Sequence, residues 1–375
     1  MKAKIPLSIY IHIPFCPTKC IYCDFLSFCG GGEHFAPYTA ALCAHLAHAA
    51  EGLAGHEVQT VFFGGGTPTM LSAAGLQGIL DSVRANCNLA ADAVISTEAN
   101  PETVDLAYLR AIRAAGFNRI SLGVQSFDDR LLRAIGRIHS AARAAAAVKD
   151  AHAAGFDDIN IDLIFALPYQ TMSDFAASLD TAAALPITHI SCYGLTVEDA
   201  TPLAARRDLL AAMGDDELDR AMYHMAKERL AAAGFGHYEI SNWAKEGREC
   251  KHNIGYWTGR EYAGFGIGAH SFLGRRRFCN SMDLAAYCGG DFSAGQLEKV
   301  DIKAAKAEFV ILGLRLTGGI TGAEFARRFG HDIFAQYGGV FRKLAAQNLV
   351  VVEGDNIRLT ARGLDLANTV FAEFV

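Results

Sequence analysis

Three cysteines fall within eight residues near the start of the chain, in Tyr10-Ile-His-Ile-Pro-Phe-Cys16-Pro-Thr-Lys-Cys20-Ile-Tyr-Cys23. Thiolates at this spacing can hold three irons of a four-iron cluster and leave the fourth iron without a protein ligand. An open iron calls for an exogenous ligand. The competing chemistry is zinc, completed by a nearby histidine such as His12, but structural zinc sites are built from paired halves and no second half follows here. The other seven cysteines, at 29, 43, 87, 192, 250, 279 and 288, have no partner by spacing and read as buried or reduced thiols, which fits a reducing compartment.

A run of small residues follows at Val61-Phe-Phe-Gly64-Gly65-Gly66-Thr67-Pro68-Thr69. Glycines let backbone approach a ligand closely. Thr-Pro stands where a phosphate loop needs Gly-Lys-Ser/Thr, so triphosphate binding is not expected. Polar residues then recur in or just beyond apolar runs: Glu98, Gln125, Arg137 and Asp162. A charge in such surroundings needs a counter-charge, a hydrogen-bonding ligand or water. Taken alone, these residues are equally well explained by a structural Arg137 to Asp162 ion pair with Glu98 as a cap. The segment Cys250-Lys-His252-Asn253-Ile-Gly-Tyr256-Trp257 sets a histidine close to two aromatics. On chemistry alone, a histidine beside aromatics is more often a hydrogen-bonded core residue.

The three-cysteine loop resembles that of radical S-adenosylmethionine (SAM) proteins. This resemblance implies a [4Fe-4S] cluster on Cys16, Cys20 and Cys23, chelation of its open iron by SAM, and an electron donor that reduces the cluster so that SAM is cleaved to a deoxyadenosyl radical. With Asn160-Ile-Asp-Leu-Ile-Phe-Ala-Leu-Pro168 and Tyr238-Glu-Ile-Ser-Asn-Trp-Ala244, nearly the whole chain is similar to the oxygen-independent coproporphyrinogen oxidase group. By that resemblance Tyr10, Gly65 and Glu98, with the backbone near Ile267, contact the cluster-bound SAM. Tyr22, Gly66, Thr67, Gln125, Arg137, Asp162 and Gly194 match positions that hold a second SAM in the oxidase.

Two departures separate this chain from the oxidase. A fourth cysteine two residues after the third is replaced by Phe25, and Tyr10 is reached almost at once, without a long preceding segment. Both features, with the His-Asn-x-x-Tyr-Trp segment, look like the heme chaperone branch, HemW. That branch implies heme bound through His252 and delivered to heme-accepting proteins such as respiratory enzymes; a membrane-located acceptor would make the membrane contact peripheral. The alternative is radical decarboxylation of coproporphyrinogen III to protoporphyrinogen IX. A third reading is an inactive winged-helix adaptor with a structural cluster.

The elements that must position these residues are set by composition and pattern. With 375 residues, 51% hydrophobic and 20% charged, the chain can bury a large core, which excludes a disordered scaffold and a disulfide-stapled miniature. A formal charge of -6 argues against a nucleic-acid partner. The apolar stretch from Leu7 to Phe15 follows Lys2 and Lys4 but is broken by His12 and Pro14, so it reads as a buried strand rather than a leader, and a cytoplasmic location is expected.

Short β-branched runs alternate with Ala-rich helical ones through two thirds of the chain. Strands are expected at 8–13, 58–63, 94–98, 119–123, 159–165 and 189–195, with helices around 37–50, 73–85, 104–115, 141–154, 175–184 and 217–233, three of them closed by Ala-Gly-Phe. The fold class is therefore α/β. A partial (β/α)6 radical SAM barrel spans 1–240, a connecting segment carrying the His252 motif spans 241–300, and a winged-helix-like α+β module spans 301–375. That last module carries nine basic and eight acidic residues with no basic stripe, so a lid or docking role is expected rather than DNA binding.

Overall fold

The computed structural model describes residues 4–375, and Lys2 lies outside them. The first apolar run forms β1 (Ile5–Ile13), buried along most of its length, as a parallel strand covered on both faces must be. Two short strands, β2 (Phe15–Cys16) and β3 (Phe28–Cys29), pair in parallel just beyond it and enclose the cysteine loop between them. Five longer strands follow: β4 (His56–Gly65), β5 (Leu89–Ala99), β6 (Arg119–Gln125), β7 (Ile159–Phe165) and β8 (His189–Gly194). The crossovers are α1 (Gly32–Leu53), α2 (Ala73–Asn86), α3 (Leu106–Ala115), α4 (Asp129–Ala134) with α5 (Ala141–Ala153), and α6 (Met172–Ala183). Strands β1, β4, β5, β6, β7 and β8 lie side by side in that order, all parallel, which gives the six βα units expected from the alternation.

Local chemistry sets the element bounds. Helices α2 and α5 start where the Ser72 and Ser140 hydroxyls accept from the backbone N–H of Gly75 and Arg143, and α6 starts on a Thr171/Asp174 capping box. Gly116, Gly155 and Gly234, in the recurrent Ala-Gly-Phe ends, take φ of +111°, +90° and +82°, the left-handed conformation that stops a helix. Helix α1 begins at Gly32 instead of near Pro37. Proline is tolerated there because the carbonyl it leaves without a donor, on Glu33, belongs to an exposed first turn open to water.

The sheet extends beyond the six units. Helices α7 (Arg207–Leu210) and α8 (Asp216–Ala232) lead to β9 (Gly236–Glu239) and β10 (Asn242–Ala244), and β10 pairs antiparallel with β8. After α9 (Lys251–Trp257), β11 (Glu261–Phe265) pairs in parallel with β1 at the opposite side. Strands β12 (His270–Leu273) and β13 (Arg276–Asn280), then α10 (Leu284–Cys288) and β14 (Ala294–Lys299), continue outward as an antiparallel ribbon. The stretch 241–300, expected to be a connecting segment, thus supplies strands to one twelve-stranded sheet ending on β14 and β9. Ala263, Phe265 and Ile267 pack into the core that β1 occupies, which holds the stretch in place. The sheet is an open, partial barrel.

A second hydrophobic cluster, including Val310, Phe325, Ile333, Phe341, Ile357 and Phe374, organises the C-terminal part. There α11 (Ile302–Gly313), β15 (Ile320–Thr321), α12 (Gly322–Phe329) and α13 (Ile333–Ala346) precede the hairpin of β16 (Val350–Glu353) and β17 (Asn356–Leu359). Gly354, at φ +62°, makes the turn anticipated from Gly-Asp-Asn. The result is the winged-helix-like α+β arrangement.

Candidate functional site

The carboxyl ends of the parallel strands and the cysteine loop enclose one cavity of about 510 Å³. Its lining includes Cys16, Cys20, Tyr22, Cys23, Gly65, Gly66, Thr67, Glu98, Gln125, Arg137, Asp162 and Gly194, so the structure brings together most of the candidate residues read from sequence. Tyr10 and His252 line an adjoining chamber of about 270 Å³, which shares Phe25, Gly65, Glu98, Asp162 and Asn253 with the larger one. Ile267 lines neither; it is buried, and its backbone N–H donates to the Tyr38 hydroxyl at 3.1 Å.

The cysteine loop is held by backbone. Cys23 N–H donates to the Cys20 carbonyl at 3.2 Å, Ile21 N–H to the Ile135 carbonyl at 3.4 Å, and Leu203 N–H to the Ile21 carbonyl at 2.8 Å. The three thiols are half-buried and face the cavity. Thr67 Oγ1 donates to Cys16 Sγ at 3.7 Å and Arg137 Nη1 to Cys20 Sγ at 3.5 Å, donors of the kind that tune iron–sulfur clusters. Burial pushes the Cys16 and Cys23 thiols above their ordinary pKa, so metal loading must displace protons there. His12, the residue that would complete a zinc set, is engaged on both nitrogens, by the Tyr10 hydroxyl at 3.0 Å and the Leu26 carbonyl at 2.9 Å. The donor set fits a three-thiolate cluster.

The glycine run is required first by packing. A Cβ on Gly66 would lie 2.7 Å from the Phe15 carbonyl oxygen, and one on Gly65, itself at φ +110°, would lie 2.5 Å from the His12 ring. Their close approach lets Gly66 and Thr67 N–H donate to the Ile13 and Phe15 carbonyls, tying the end of β4 to the base of the cysteine loop.

The polar residues form a connected set. Glu98 accepts from Gly65 N–H at 3.2 Å and caps no helix; Asn100 caps the turn that follows. Burial, then the neighbouring Asp162, pushes the Glu98 carboxyl up to about 8. Asp162 is itself raised by burial and accepts from Asn160 Nδ2 at 2.8 Å and Ser121 Oγ at 3.3 Å. Arg137 turns to the Gly123 carbonyl and Cys20 instead of forming the ion pair with Asp162 that a purely structural role implied. Two buried atoms here lack a protein partner, Arg137 Nε and Gln125 Oε1. Gln125 also holds φ +67°, a conformation costing a non-glycine residue about 1–3 kcal/mol. Spare donors and acceptors at a strained position fit a polar organic ligand carrying hydroxyl, amine and carboxylate groups, as SAM does.

His252 is placed differently from the open ligand expected. It is 2% exposed, with Nδ1 on Thr60 Oγ1 at 2.8 Å, Nε2 on the Tyr256 hydroxyl at 3.0 Å, and its ring stacked on Phe62 at 5.0 Å. Burial pushes its pKa down to about 3, so the imidazole is neutral. In this conformation it is a hydrogen-bonded core residue, and its chamber is smaller than the ~300–1,000 Å³ that drug-sized ligands fill, so a porphyrin is not accommodated there without rearrangement.

Some contributors were missed at the level of sequence. Ser121, Asn160 and Ser191 surround Asp162. The signal was period two: Ser121, Gly123 and Gln125 on β6, Ser191 and Tyr193 on β8, and Asn160 with Asp162 on β7 each share one strand face. Asn253, beside His252, lines both chambers.

Comparison with known proteins agrees with this geometry. Residues 10–182 match the radical SAM superfamily and residues 303–366 the HemN C-terminal domain. Heme chaperone HemW of Mycobacterium tuberculosis is 40% identical over an alignment covering 97% of this chain and 94% of its own. That of Bacillus subtilis is 34% identical, covering 98% and 99%. The structure of coproporphyrinogen III oxidase (HemN) from Escherichia coli, a radical SAM enzyme, superposes with a TM-score of 0.87 at 26% identity, covering 99% of this chain and 90% of that one. The chain belongs to the heme chaperone HemW family of the radical SAM superfamily.

Proposed function

We propose that the protein is a cytoplasmic heme chaperone that binds heme and delivers it to acceptor proteins, respiratory heme enzymes by resemblance. It would carry a [4Fe-4S] cluster on Cys16, Cys20 and Cys23, and exchangeable SAM in the cavity beside it. The observation that carries this reading is similarity along the whole chain to proteins named heme chaperones. Phe25 adds to it: where the oxidase has a fourth cysteine, an aromatic ring stands 58% exposed and lines both chambers.

When bound, the reduced cluster supplies the electron for SAM cleavage. The chain's own groups do the rest. Thr67 and Arg137 donate to the cysteine sulfurs, Glu98 would offer a carboxylate to the SAM amino group, and Gln125 Oε1 and Arg137 Nε supply unused hydrogen-bonding capacity. By resemblance Tyr10, Tyr22, Gly65, Gly66, Asp162 and Gly194 would complete the enclosure; the backbone near Ile267, assigned in the same way, lines neither chamber.

His252 is the heme ligand assigned by resemblance. Its two ring nitrogens are both hydrogen-bonded, so ligation requires release from Tyr256 or Thr60. Anaerobic hemin titration tests this. His252→Ala is expected to weaken binding, and Tyr256→Phe, which frees Nε2 and leaves the imidazole in place, to bind hemin at least as tightly as the unmodified protein. Unchanged hemin affinity in His252→Ala removes His252 as the ligand.

A second reading, decarboxylation of coproporphyrinogen III, is favoured by the superposition on HemN. Vinyl product above cluster-free controls supports it; heme transfer without decarboxylation supports the chaperone.

A further inference from the structure

The seven cysteines outside the cluster loop are not equivalent. Cys192, Cys250 and Cys279 are buried, Cys43, Cys87 and Cys288 are half-buried, and Cys29 is exposed. Cys29 is also not solitary, as spacing alone had suggested. In the pairing of β2 with β3, Cys29 is the direct partner of Cys16. Phe28 N–H donates to the Pro14 carbonyl at 2.7 Å and Gly30 N–H to the Cys16 carbonyl at 3.1 Å, and these two bonds fix the register. Neighbouring strands run ~4.7–4.9 Å apart, and facing residues project to the same side. That spacing lies within the ~4.4–6.8 Å Cα separation that a disulfide spans.

We propose that Cys16 and Cys29 form a reversible disulfide when the cluster is absent, and that a dithiol reductant restores the pair. The inference rests on Cys16 as a cluster ligand and not on heme transfer. The exposed Cys29 thiolate attacks a low-molecular-weight disulfide, forming a mixed disulfide and expelling one thiolate. Cys16 then attacks the Cys29 sulfur and expels the second. Two electrons pass from the protein dithiol to the small disulfide, which leaves as two thiols carrying the two protons. The dithiol reductant reverses the exchange and is itself oxidised to a disulfide. While it lasts, the bridge keeps the first cluster ligand off the route to sulfinic acid, which ordinary thiols do not reverse.

The test starts from anaerobically prepared, cluster-loaded protein. The cluster is removed with a chelator, glutathione disulfide is added, and free thiols are alkylated before peptide mapping without reduction. The expected product is a crosslinked peptide pair containing Cys16 and Cys29, absent from the cluster-loaded protein and lost on adding dithiothreitol. Cys29→Ser is expected to load iron fully under anaerobic conditions and to lose this crosslink. Cys16 joined instead to Cys20 or Cys23, or Cys29 remaining fully alkylatable after oxidation, would overturn the proposal. So would failure of Cys29→Ser to hold the cluster anaerobically, since Cys29 would then be a ligand.

Discussion

A carboxyl that keeps its proton to about pH 8 is poised to exchange it for a cation. Folding raises Glu98 from the ordinary 4.5 by burying it beside Asp162. Its contribution to stability is therefore full below pH 4.5 and is lost as pH rises through about 8. Glu98→Gln, fixed in the neutral form, is expected to match the unmodified, cluster-free protein near pH 4.5 and to melt at a higher temperature above pH 8; a pH series of thermal melts checks this. Binding of the SAM amino group should also expel the Glu98 proton at neutral pH. Calorimetry in buffers of different ionisation enthalpy would detect that release, and the variant should lack it. Equal proton release by both proteins would move the amino group elsewhere.

At the scale of elements, the site depends on the end of β4 lying against the cysteine loop. Gly66→Ala places a methyl 2.7 Å from a backbone carbonyl that cannot swing away as a side chain could. It should weaken SAM binding at least tenfold in equilibrium titration while far-UV circular dichroism is unchanged. An unaltered affinity would show that the loop tolerates displacement. The six parallel strands were legible because runs such as Ile159–Phe165 are rich in apolar and β-branched residues, and that strand was bounded to the residue. The antiparallel additions were not. Glu261–Phe265 holds only five residues, one of them glycine, and Arg276–Asn280 begins with two arginines, so neither has the alternation that marks a strand. Cys16 and Cys29 met for the same reason that spacing could not pair them: their register is created by β2 and β3, two residues each, closing a loop. His252 shows the converse. Its chemistry was legible, but whether its nitrogens were free depended on Thr60 and Tyr256, which only folding brings to it.

At the scale of the molecule, the His252 helix stands between the cavity and the C-terminal module. Asn253 lines the cavity, and Trp257, at the far end of α9, lies under the Arg315 guanidinium at 4.2 Å. Arg315 also approaches the buried Glu239 at 3.8 Å, and its carbonyl accepts from Ile240 N–H at 3.2 Å. Arg315→Ala should therefore loosen the module, shifting Trp257 fluorescence to longer wavelength and speeding hydrogen exchange in α11, with exchange in β5 unchanged. Identical exchange in α11 would show that hydrophobic packing alone holds it. Among the described residues no helix is long and apolar enough to cross a membrane.

The most direct test of the chaperone reading is a paired assay on one anaerobic preparation carrying cluster and SAM. Hemin-loaded protein is mixed with an apo-heme acceptor, and a parallel portion is given coproporphyrinogen III and reductant. The account predicts heme transfer to the acceptor and no vinyl product above the cluster-free control. Protoporphyrinogen IX formation without heme transfer would contradict it.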